Sequence, residues 1–116
     1  MTRYLISFPS SAMDHIPADE MPAVGEAAHA VIREAMNEGV FVFGGGLAED
    51  VDPVLVDGDG TISAGTYPQN KELNGGFTVL DAASREAALE WGAKIAAACR
   101  CAQEVREFMP DPEVGN

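Results

Sequence analysis

The chain's 116 residues suffice for one hydrophobic core and are too few for two. Its hydrophobic fraction of 47% and charged fraction of 22% are ordinary globular values and argue against disorder. Nineteen acidic residues against seven Lys and Arg leave a formal charge of -12, a field that repels phosphate backbones and anionic membrane surfaces, so neither nucleic acid nor membrane is expected as a partner.

Tyr4–Phe8 reads as a first strand, with Tyr4, Ile6 and Phe8 on one face, and Pro9 ends it. Residues 9–22 carry three prolines and read as a loop with a short helical turn. Residues 23–38 form the clearest helix: Val24, Ala27, Ala28, Val31, Ile32, Ala35 and Met36 repeat at helical spacing, and Gly39 is placed to cap it in the left-handed conformation. Val40–Phe43 is a short, continuously apolar strand followed by three glycines. Its alternation would set Phe41 and Phe43 on one face and Val40 and Val42 on the other.

Asp57-Gly58-Asp59-Gly60 is a strong turn signal between Val54–Val56 and Thr61–Ser63, which therefore read as a hairpin. Residues 65–75 are polar and irregular, and Gly76–Leu80 is the next strand. A second helix spans about Ser84 to Ala98, with Ser84 as N-cap and Ala88, Trp91, Gly92, Ile95, Ala96 and Cys99 as its apolar stripe. The last strand is expected over residues 100–109, and 110–116, with Pro110 and Pro112, reads as a loose tail after a single domain spanning 1–109.

The order is strand, helix, strand, hairpin, strand, helix, strand. That is an α+β, ferredoxin-like βαββαβ plan with an inserted hairpin. Two helices cover one face of such a sheet. The strands are apolar on both faces, so a second sheet against the open face, and hence a homodimer, is the expected solution.

The segment Ala64-Gly65-Thr66-Tyr67-Pro68-Gln69-Asn70-Lys71-Glu72-Leu73-Asn74-Gly75-Gly76-Phe77 resembles the signature of the YCII-related (DGPF domain) family: Asp-Gly-Pro-Phe, a few residues, Lys-Glu, then Gly-Gly-Phe before a strand. Asn37-Glu38-Gly39 with Gly45-Gly46-Leu47, Glu86–Trp91 and Glu104-Val105-Arg106 resemble its flanking passages, so the resemblance spans roughly residues 3–108. The chain departs from the signature at Ala64, where the family carries its aspartate, and at Thr66-Tyr67, where it carries Pro-Phe. The resemblance implies a dimeric α+β barrel with one cleft per subunit. One branch of the family includes a dehydrochlorinase of a chlorinated hydroxyquinol, for which a histidine with an aspartate is the proposed machinery.

His29 is the first candidate for chemistry. It stands at the border of the first helix's apolar stripe, sixteen residues before Gly45, a placement similar to that of the histidine in one branch of the family. Histidine ordinarily titrates between about pH 5 and 8, which suits proton transfer. A carboxylate would orient its ring; Asp50, Asp52, Asp57 and Asp59 all follow the next strand, with Asp52 preferred and Asp57 and Asp59 better explained as turn residues. Tyr67, Lys71 and Glu72 in the signature loop and Arg106 on the last strand are candidate ligand contacts, Arg106 sharing its face with Glu104 as a possible charge pair. His15 reads as a surface residue.

No phosphate loop, dinucleotide fingerprint or serine nucleophile elbow is present. Cys99 and Cys101 stand two apart, which would put them on alternate faces of a strand, in poor geometry for a mutual disulfide, and their spacing is not that of a zinc motif. The expectation is a cytoplasmic protein without cofactor or metal. It would be either an enzyme using His29 for acid–base chemistry on a small organic molecule, or a non-catalytic dimer binding such a molecule in the same cleft.

Overall fold

A computed structural model describes all residues, 1–116. Strands β1 (Thr2–Phe8), β2 (Phe41–Gly46), β5 (Gly76–Ala82) and β6 (Glu104–Glu107) form a four-stranded sheet in the order β2-β5-β1-β6, every neighbouring pair antiparallel. Helices α1 (Met21–Asn37) and α2 (Arg85–Cys99) connect β1 to β2 and β5 to β6. This is the expected ferredoxin-like α+β plan. The inserted hairpin, β3 (Val54–Val56) with β4 (Ile62–Ala64), is a separate two-stranded sheet.

Alternation along β1 and β5 builds the core. Tyr4 pairs with Leu80, and Ile6 with Thr78; these side chains face the helices. Tyr4, Ile6, Leu80 and Ala82 pack with Ala35 of α1 and Ala88, Trp91, Ile95 and Cys99 of α2. Gly92 lets α2 approach the sheet, since a Cβ there would stand 3.1 Å from Val105 Cγ2. Lys94 of α2 lies 4.7 Å from the Trp91 ring centroid and pairs with Glu34 of α1, joining the two helices.

Both helix ends obey their local chemistry. Gly39 has φ +74°, and the bonds Gly39 N–H to Met36 carbonyl and Val40 N–H to Ala35 carbonyl close α1 in a Schellman motif. Ser84 Oγ accepts from the Ala87 N–H at 3.1 Å and caps α2.

Three expectations change. First, β6 begins at Glu104, not at residue 100, because Arg100 adopts φ 58° and ends α2 in the left-handed conformation. Cys99 is therefore the last helical residue, and Cys101 lies in the connection; the two are not strand neighbours, and both are free thiols. Second, a bulge between Phe41 and Phe43 pairs Phe41 with Leu80 but Phe43 with Val79. Leu80 and Val79 point to opposite faces of β5, so Phe41 turns to the helices and Phe43, 68% exposed, to the open face. Third, residues 110–116, expected as a loose tail, carry local structure. Residues 112–114 make a 3-10 turn, and the Arg3 guanidinium donates to the Gly115 carbonyl and to Asn116 Oδ1.

The open face is apolar at its centre and charge-balanced at its sides. Leu5 pairs with Val79 and Ser7 with Phe77, next to Phe43. Arg3 binds Asp81 at 3.0 Å, and Arg106 binds Glu104 at 2.6 Å.

Candidate functional site

Small residues open a space between α1 and β2. β2 is an edge strand, and its last three residues, Gly44–Gly46, carry no side chains. Opposite them, α1 presents Gly25 and Ala28. The result is a cleft of about 510 Å³, within the range of small-molecule pockets. Its walls are mostly apolar: Phe8, Met21, Val24, Ile32, Met36 and Phe41, with Ile95 also contributing.

His29 lines this cleft from α1. It is also open to solvent, and no hydrogen bond or ion pair to a carboxylate orients its ring. No Asp, Glu, Lys or Arg lines the cleft. The other titratable side chain there is the Cys99 thiol, which burial and the neighbouring Cys101 push above the ordinary cysteine range. A thiol shifted that way stays protonated and weakly nucleophilic. His29 is thus the one residue of the cleft wall whose side-chain type suits general acid–base work.

Asp52 does not line the cleft that His29 lines. It lines a second hollow of about 590 Å³, together with Glu49, Thr66, Asn70, Lys71 and Asn74, at the base of the hairpin. The structure therefore brings Asp52 and Lys71 to one cavity and sets His29 in another. Between the two runs a shallower depression that shares Phe8, Met13, Met21, Gly46 and Gly76 with the cleft and Ser10, Leu47, Glu49 and Asn74 with the hollow. Its carboxylates are Asp14 and Glu49.

The remaining candidates are dispersed. Tyr67 is 64% exposed and lines none of these cavities. Glu72 is exposed beside Lys71. Arg106 lies on the open face, paired with Glu104 as its spacing suggested. Asp59 accepts from the Thr61 N–H at 2.9 Å, which lowers its carboxyl pKa and fits its reading as a turn residue. His15 is exposed. No three His, Cys, Asp or Glu side chains converge.

The signature's Gly-Gly-Phe has a packing role. A Cβ on Gly75 would overlap the Phe8 carbonyl oxygen, and one on Gly76 would stand 2.7 Å from the Phe8 ring. The pair lets β5 start directly against the end of β1, and so fixes Phe8 as a wall of the cleft.

Sequence reasoning missed Met21, Gly25, Gly44 and Thr78 as cleft residues. Two signals were available. Gly25 and Ala28 are small residues on an apolar helix stripe that needed large ones to fill a core. Thr78 is a polar residue on the helix-facing side of β5, in phase with Leu80 and Ala82.

A sheet with both helices on one face and an apolar cleft under the first of them defines a ferredoxin-like α+β domain with a small-molecule-sized pocket. The chain belongs to the YCII-related family: the YCII-related domain model matches residues 7–110. Among solved structures, it is similar to 5-chloro-2-hydroxyhydroquinone dehydrochlorinase from Burkholderia phenoliruptrix AC1100 in complex with 2,5-dihydroxybenzoquinone. The identity is 14%, the TM-score is 0.49, and the match covers 96% of this chain and 97% of that one. No curated protein matches. No helix is long and apolar enough to cross a membrane.

Proposed function

We propose that this protein binds a small, largely apolar organic molecule in the cleft between α1 and β2. The observation that carries the reading is the cleft itself: about 510 Å³, walled by aliphatic, aromatic and methionine side chains, and free of charged ones apart from His29 when it is protonated. Two free cysteines suit a reducing cytoplasm. The test uses N-phenyl-1-naphthylamine, a neutral apolar dye that brightens on leaving water. It should bind saturably, one per chain, and Ala28→Phe, which fills the cleft, should weaken binding about tenfold or more while leaving the circular dichroism unchanged. Binding that does not saturate, or that Ala28→Phe leaves intact, sinks the reading.

Acid–base catalysis at His29 is the second reading. It is favoured by His29 being the one imidazole in the cleft wall, the side-chain type most often used for proton transfer. The step would be proton abstraction from carbon, the released electron pair forming a double bond as a leaving group departs or as the proton returns elsewhere. His29→Gln should abolish such turnover and leave dye binding within twofold.

The open face supports a homodimer. The molecule carries a net -12, yet the four charged residues on this face, Arg3, Asp81, Glu104 and Arg106, form two pairs that cancel. A neutral face with Leu5, Phe43, Phe77 and Val79 at its centre is where an equally acidic second copy can approach without charge repulsion, and a two-fold axis makes the face its own complement.

A further inference from the structure

The floor of the cleft carries a polar group that the fold leaves unused. Thr78 is only 8% exposed and lies on the helix-facing side of β5, between Ile6 on β1 and Gly44 on β2. Its side-chain hydroxyl makes no hydrogen bond within the chain. No side-chain oxygen or nitrogen of the protein is both sealed from solvent and without a partner. The Thr78 hydroxyl, having no partner, is therefore reached from outside through the cleft it lines.

The neighbouring residues explain why that hydroxyl stays accessible. Gly44 stands beside it on β2 without a side chain, and a Cβ there would be crowded by the Phe77 carbonyl at 3.0 Å and the Phe41 ring at 3.2 Å. Ile6, beside it on β1, offers only carbon. The open cleft leaves the hydroxyl to water, and a ligand that displaces that water must bond to it in turn or leave it unpaired at a cost in free energy; a valine would fill the same volume on a strand without offering that bond.

Resting on the reading that the cleft holds an apolar molecule, we propose that Thr78 is its polar anchor. The ligand is then a neutral, compact, mostly apolar compound bearing a carbonyl or hydroxyl oxygen that bonds to Thr78 Oγ1. Neutrality follows from the walls. No Lys or Arg faces an anion there, no Asp or Glu faces a cation, and Asp14 and Glu49 in the adjoining depression add negative potential. An anion would enter against that field and lose its hydration without gaining a partner other than a protonated His29. The Cys99 thiol, held protonated by burial, is only a weak donor and does not change the preference.

Nuclear magnetic resonance titration of the full chain with three cyclohexyl probes tests this. Cyclohexanone should bind and shift the amide signals of Gly44 and Thr78. Cyclohexane, which has no oxygen for Thr78, should bind through the walls alone, and cyclohexanecarboxylate at pH 7.5 should bind about tenfold more weakly than the ketone or worse. Thr78→Val should cut cyclohexanone affinity about five- to tenfold, the share of one hydrogen bond, and leave cyclohexane within twofold. Thr78→Ser, which keeps the hydroxyl, should restore most of the ketone's affinity. If Thr78→Val weakens the ketone no more than the hydrocarbon, the anchor is wrong and the apolar cleft stands. If the carboxylate binds as well as the ketone, the neutral class is wrong. If no probe perturbs the cleft residues, the cleft reading falls and the anchor with it.

Discussion

Gly75 passes the end of β1 so closely that a Cβ on it would overlap the Phe8 carbonyl oxygen and come within 2.8 Å of the Pro9 carbonyl carbon. Both obstacles are backbone, which cannot rotate away. Gly75→Ala should therefore destabilise the fold by about 3 kcal/mol, at the upper end of overpacking effects. Gly45→Ala is the control: nothing lies within 4 Å of its Cβ, and it should stay within about 0.5 kcal/mol. Urea unfolding of the two variants checks the contrast, and similar losses in both would overturn the packing account of the signature's glycines.

How much of this was legible in the sequence depends on range. Element order, the Gly39 cap and the Ser84 cap are local facts, settled by periodicity and by one residue's side chain or lack of it. The Phe41/Phe43 bulge was not legible, because a bulge is decided by register against β5, a strand more than thirty residues away. The start of β6 was misplaced because Arg100 takes a left-handed conformation that glycine or asparagine would have advertised. His29 was found as a cleft residue, since its place on the stripe's border is a helical-wheel property. The preference for Asp52 among the carboxylates of residues 50–59 did not put a partner beside His29, because loop residues owe their position to contacts made far away in the chain. Asp52 lies with Lys71 for that reason.

Ser84 holds the first turn of α2 through one hydrogen bond to Ala87 N–H. Ser84→Ala should cost about 1 kcal/mol, and Ser84→Asp should recover it, with its charge favourable at the helix N-terminus. Thermal unfolding midpoints give the measurement. Equal midpoints for wild type and Ser84→Ala would show that the cap is not limiting.

The thiols carry a pH signature. Burial, with Cys101 adding to it, raises the Cys99 pKa, and burial raises that of Cys101. The folded state then holds protons that the unfolded chain releases. Stability from these groups is complete below the ordinary cysteine range of about 8.5 and falls as pH rises through it toward the raised folded values. The buried Tyr4, raised by desolvation and by its bond to Glu107, adds a loss in the same direction at higher pH. Urea midpoints should drop between pH 8 and 10, and the drop should be smaller in Cys99→Ala. At pH 8, iodoacetamide should modify both thiols more slowly in the folded protein than in urea. A midpoint that rises with pH in this window would contradict the sign.

Phe43 provides the cleanest probe of the dimer, because it is 68% exposed in the single chain and contributes little to the chain's own core. A glutamate there leaves the monomer's packing almost untouched but puts a charge at the centre of the neutral face. In a two-fold dimer that charge is repeated and buried without a partner. The wild type should sediment at twice the chain mass at micromolar concentration. Phe43→Glu should raise the dimer dissociation constant at least a hundredfold and sediment as a monomer, with unchanged circular dichroism. Arg106→Glu tests the charge balance separately: it turns the pair with Glu104 into a repulsion and makes the face net acidic, so its dimer should weaken and should recover as salt is raised. Phe43→Glu should show no such recovery, since added salt does not restore lost apolar burial. A wild-type monomer, or a Phe43→Glu dimer as tight as the wild type, would move the interface away from this face and leave its exposed apolar centre without an explanation.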